Sequence, residues 1–158
     1  MLAAEELSIR PVGGAQGQGG PRSELVWHGR PVARHVDGCV LEAAIAGAGF
    51  YLLFTTDDIP YEESLTITLL DGDLGTLDTA VLCGLYSTGS FALVGQDGER
   101  TVRFRFFGDT DWSVEVLAQP RARLPFVPEV AGVSRPFGFS RHFIVRGDPK
   151  PAAPGDGA

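Results

Sequence analysis

A chain of 158 residues, 44% hydrophobic and 21% charged, is long enough to bury roughly 70% of its unfolded surface without help from disulfides or metal. Its formal charge of −7 divides into −11 over residues 35–99, which hold eleven acids and no lysine or arginine, and +4 over the remainder. That asymmetry argues against a nucleic-acid binder and against anionic membrane surfaces, both of which call for a cationic footprint, and no apolar run approaches the ~18 residues of a membrane span.

The first residues, Met1-Leu2-Ala3-Ala4-Glu5-Glu6, carry neither the basic start nor the apolar core of a secretory signal, so a cytoplasmic location is expected. Residues 11–22 (PVGGAQGQGGPR) are too rich in Gly, Pro and Gln to pack and read as a flexible loop. From Glu24 to Val36 a hairpin is predicted with His28-Gly29 as its turn, which puts Leu25, Trp27, Val32 and Val36 on one face. Pro31 predicts that the second strand of that hairpin lies at a sheet edge or starts irregularly.

Further strands are predicted near residues 39–46, 49–56, 64–70 and 77–84. In 64–70 (SLTITLL), Leu65, Ile67 and Leu69 alternate with Thr66 and Thr68, the pattern of a sheet with one covered face. Cys39 and Cys83 lie inside such stretches without a second ligand nearby and are expected to be free, buried thiols.

Acids gather at two connections of this region. Asp57, Asp58, Ile59, Tyr61, Glu62 and Glu63 fall in one, and Asp71 and Asp73 in the next. They form the candidate partner-binding set: carboxylates for a cationic protein, with Ile59 and Tyr61 as apolar anchors. The competing reading is a solvated acidic rim that keeps the protein soluble. Calcium is not expected at Asp71, Asp73 and Asp78, because Gly75 and Leu82 stand where an EF-hand loop needs its third and last ligands. The hydroxyl-rich stretch Gly84 to Gly89 (GLYSTG) reads as a turn.

Between Ser90 and Leu117 the pattern predicts a three-stranded meander. A two-residue turn at Asp97-Gly98 sets Leu93 opposite Val102 and Phe91 opposite Phe104. A three-residue loop at Gly108-Asp109-Thr110 then sets Phe106 opposite Trp112, Phe104 opposite Val114 and Val102 opposite Val116, with Arg103 facing Glu115 outside. The stretch 120–136, with Pro120, Pro125, Pro128 and Pro136, is expected to run extended over the sheet. A last strand is predicted near 138–146, where Phe137, Phe139, Phe143 and Val145 alternate with Ser140, His142 and Ile144 but Arg141 interrupts the apolar side and should lie near a rim or meet a carboxylate. Residues 147–158 (GDPKPAAPGDGA) read as a disordered tail.

The fold class that follows is all-β: one antiparallel sandwich or barrel of roughly eight to ten short strands, spanning residues 1–146. No GxSxG, GxxxxGK, HExxH, GxGxxG or CxxC signature is present, and His28, His35 and His142 do not converge in the predicted register. No cofactor or metal is expected. The functional expectation is a non-enzymatic domain that binds a protein through a sheet edge or the acidic loops, with self-association left open. The alternative is a small-ligand-binding β-barrel or a minor hydrolase with carboxylate chemistry.

Overall fold

The structure, a computed structural model, describes residues 1–13, 20–59, 63–84 and 89–151. These form thirteen strands in three antiparallel sheets and no helix. The six-stranded sheet is ordered β1 (Leu2–Ala3), β5 (Val40–Gly47), β6 (Phe50–Thr56), β7 (Ser64–Asp71), β8 (Thr76–Cys83) and β12 (Val133–Ser134). The four-stranded sheet is ordered β13 (Ser140–Arg146), β11 (Trp112–Ala122), β10 (Thr101–Arg105) and β9 (Ala92–Asp97). The smallest is ordered β2 (Leu7–Pro11), β3 (Arg22–Trp27) and β4 (Arg30–Asp37). The sheets are open, so the architecture is a β-sandwich and not a closed barrel.

Strand periodicity builds the layers. In β6, Phe50, Leu52 and Phe54 point towards the four-stranded sheet, where they share the main core with Val102, Phe104, Trp112, Val114 and Phe143. The alternate residues Tyr51 and Leu53 point the other way, onto Leu7, Leu25 and Val36 of the three-stranded sheet. The central sheet is thus covered on both faces. Thr66 and Thr68, expected to face water, are buried beneath that third layer. Thr is tolerated there because its β-branched shape suits a strand. On the same layer, the buried Thr55 hydroxyl donates to the Asp37 carbonyl at 2.7 Å.

The His28-Gly29 hairpin forms as predicted. Trp27 pairs with Arg30, and His28 and Gly29 have φ of 47° and 76°, the positive values that a type I′ turn demands. β4 lies at the edge of its sheet, in keeping with Pro31. It joins β5 through Gly38, whose φ is 100° and where a Cβ would stand 2.6 Å from the Thr55 hydroxyl.

The meander exists, but its registers differ from the expected ones. Gly98, Glu99 and Arg100 form a three-residue connection, Asp97 pairs with Thr101, and a bulge at Val94 sets Phe104 opposite Leu93. Leu93 is then half-exposed on an outer strand instead of buried, while Phe91 packs on Phe104 with ring centroids 5.8 Å apart. Between β10 and β11, Phe104 pairs with Trp112 and Val102 with Val114. The loop is longer than expected because the Trp112 indole N–H donates to the Phe107 carbonyl at 2.9 Å and holds the turn open. A slip of two residues keeps every side chain on its face. Val102, Phe104, Phe106, Trp112, Val114 and Val116 are accordingly all buried. Outside, Arg103 meets Asp97 at 2.8 Å rather than Glu115, which Arg146 takes at 2.6 Å.

Both cysteines are free, but neither is fully buried: Cys39 is half-buried and Cys83 exposed. Cys39 lies in the connection just before β5, and Cys83 is the last residue of β8. At the far end, the chain stays against the molecule beyond β13, since the Lys150 amide donates to the Gly108 carbonyl at 2.8 Å. Residues 14–19 of the Gly-rich loop, 85–88 of GLYSTG and 152–158 of the tail lie outside the described residues.

Candidate functional site

The acidic loops are separated by the strand that joins them. Asp57, Asp58, Ile59 and Glu63 precede β7, whereas Asp71 ends it and Asp73 follows it, about 23 Å away at ~3.3 Å per residue. Tyr61 and Glu62 lie outside the described residues. Two of these carboxylates are occupied in shaping their own turns. Asp57 accepts from the Ser64 hydroxyl at 2.6 Å, and Asp71 Oδ1 accepts from the amides of Asp73 and Gly75 at 2.8 and 2.9 Å. Asp58 and Asp73 are exposed, as is Ile59. Among the described residues no group of His, Cys, Asp and Glu is arranged to hold a metal ion.

A different constellation forms where β11 outruns β10. β10 pairs with β11 only as far as Glu115, so the rest of β11 has β13 as its sole strand neighbour. There the ladder breaks: Val116 faces Phe143 and Arg121 faces Arg141, leaving Leu117 to Pro120 against His142 alone. Pro120 has no amide to offer a ladder, and prolines inside sheets are confined to edges and bulges. The bulge opens a cavity of about 300 Å³ lined by Leu117, Val127 and Ile144 together with Arg121, Arg123 and Arg141.

Glu129 is the carboxylate of this cluster. Its Oε1 lies 3.4 Å from Arg123, 3.5 Å from Arg135 and 3.6 Å from Arg141, without hydrogen-bond geometry to any of them. Arg141 thus meets the carboxylate that its place on an apolar strand face required. Deeper in, the Arg135 side chain is 2% exposed and donates to Asp78 Oδ2 at 3.0 Å, while its guanidinium carbon stands 4.2 Å from the Phe143 ring centroid. Burial pulls this guanidinium below the ordinary arginine range, against the opposing pull of Asp78 and Glu129.

The two segments that meet at Arg123 carry four exposed large apolar side chains. Phe126 is 88% exposed, Phe137 73%, Leu124 72% and Phe139 66%. Phe137 and Phe139 meet edge to face at 5.4 Å, and the Arg123 amide donates to the Phe139 carbonyl at 2.8 Å, so both segments converge on Arg123. Phe137 and Phe139 were expected to begin the apolar face of the last strand, but that strand starts at Ser140 and leaves them outside. Only the interruption at Arg141 signalled this region in the sequence. Compared with family models, curated proteins and solved structures, the chain matches none.

Proposed function

We propose that this chain is a non-enzymatic protein-binding domain whose contact surface is the phenylalanine-bearing rim around Arg121, Arg123 and Arg141. The observation that carries this reading is the joint exposure of Leu124, Phe126, Phe137 and Phe139 around Arg123. Contiguous exposed apolar surface bordered by polar groups marks interaction sites, and aromatic residues and arginine dominate the energetics of such contacts. The surrounding arginines favour a partner that presents carboxylates beside apolar side chains. The acidic loops support a cationic partner less well, because they stand at opposite ends of β7 and two of their carboxylates bond within their own turns.

The experiment is selection of random displayed peptides on the immobilised full chain. The expected sequences carry Asp or Glu next to aromatic or aliphatic residues, and their binding is lost in a Phe126→Ser/Phe139→Ser variant, two exposed positions whose change spares the core. Enrichment of lysine- and arginine-rich peptides that bind this variant equally well would overturn the proposal in favour of the acidic loops. Failure to enrich any sequence would overturn it outright.

A further inference from the structure

The cavity shares Arg121, Arg123 and Arg141 with the proposed contact surface, but it carries an inference that does not depend on a protein partner. Three arginines, Arg121, Arg123 and Arg141, are among the residues that line it. A single carboxylate, that of Glu129, faces two of them, Arg123 and Arg141. Asp78 does not relieve the excess, since it is bound to Arg135 deeper in the molecule. Two of the three, Arg121 and Arg141, stand directly opposite each other across the strand pair, where like charges repel. Arg141 is 9% exposed as a residue; its Nη1 donates to the Ser140 carbonyl at 3.2 Å, and its Nε stands 3.6 Å from Glu129 without making a hydrogen bond. A nearly buried cation with an unused donor is costly unless an anion or acceptor completes it.

The rest of the lining sets the chemistry of that anion. Leu117, Val127 and Ile144 form apolar walls, so a bare inorganic ion would leave most of the cavity without contacts. The volume, about 300 Å³, lies at the small end of the range for ligand pockets. We infer that the cavity is a binding site for a small organic acid, its carboxylate held between Arg121 and Arg141 and its apolar chain laid against Leu117, Val127 and Ile144. A carboxylate suits the planar fork of arginine, which offers two parallel donors.

The test is isothermal titration of the full chain with octanoate below its micelle-forming concentration, beside 1-octanol and inorganic phosphate. Octanoate should bind saturably at one site, and more tightly than either control. Arg121→Gln, at an exposed position, should weaken it about fivefold, the upper end for a solvent-exposed ion pair. Arg141→Gln should weaken it about tenfold or more, as loss of a hydrogen bond to a charged group does. Should Arg141→Gln fail to fold, Arg121→Gln still decides the point. Octanol binding as tightly as octanoate would reduce the cavity to an apolar sink, and phosphate binding as tightly would reduce it to a plain anion site. Either result overturns the inference, as does octanoate that fails to saturate or binds Arg121→Gln unchanged.

Discussion

Replacing Asp78 by leucine removes the carboxylate that neutralises the most deeply placed arginine. Asp78 Oδ2 accepts twice, from Arg135 at 3.0 Å and from the His142 amide at 2.8 Å, and its side chain is only 7% exposed. Breaking one side of a buried pair strands the other charge, at a cost of about 3–5 kcal/mol. Glu129 does not compensate, because it already faces Arg123 and Arg141 as well as Arg135. For a chain of this size, each kcal/mol lowers Tm by about 2–4 °C, which gives a drop of roughly 6–20 °C. The double variant Asp78→Leu/Arg135→Met should recover much of the loss, since methionine packs over Phe143 without a charge to satisfy. Urea unfolding of the three proteins measures both effects. A single variant within about 1 kcal/mol of wild type, or a double variant no more stable than the single, would refute the assignment of Asp78 as the counter-charge.

Phe104→Ala should cost about 3–5 kcal/mol, because Phe104 is fully buried against Phe54 and Phe91, whereas Leu93→Ala on the outer strand should stay below about 1 kcal/mol. Equal costs in denaturant titrations would mean that the bulge at Val94 is wrongly placed. Iodoacetamide should alkylate Cys83 before Cys39, as Cys39 is half-buried with its thiol donating to the Asp57 carbonyl at 3.0 Å. Burial, with Asp58 and Asp57 adding to it, pushes the Cys39 thiol up. Asp58→Asn should therefore bring thiolate formation to lower pH and speed labelling of Cys39, and an unchanged rate-against-pH profile by mass spectrometry would refute this.

Which faces are buried was legible because alternation reports faces and little else. Val102, Phe104, Val114 and Val116 occupy the predicted side although both meander pairings are displaced: between β10 and β11 the slip is two residues, which is invisible to a period of two. The turn at His28-Gly29 was legible for a different reason: positive φ at both positions is a local demand that glycine and its neighbour state in the sequence. The third layer was not legible. Its first strand, Leu7–Pro11, is short and ends on a proline, so nothing announced a cover for Thr66 and Thr68. Nor was the arginine cluster, whose members come from the end of β11, a proline-rich connection and the start of β13. Long-range pairing alone brings Arg121 opposite Arg141 and sets Glu129 within 3.6 Å of both Arg135 and Arg141.

The two ends of the four-stranded sheet bear on how a partner would be held. An open edge presents unpaired amides and carbonyls that invite another strand. On β13 such groups are served by side chains: the His142 amide donates to Asp78, and the Phe143 carbonyl accepts from Arg135 at 2.8 Å. Asp78 belongs to the opposite sheet and Arg135 to the segment that crosses between sheets, so the buried pair ties the layers together and occupies the edge at once. At the other end, β9 is bent by the bulge at Val94 and carries the Asp97–Arg103 ion pair, two devices that discourage strand addition. With both edges blunted in this way, recognition by β-augmentation is the less favourable mode for this sheet. On this sheet the proposed contact would therefore be made by side chains, and Leu124, Phe126, Phe137 and Phe139 are the exposed apolar ones nearest in sequence to the arginines.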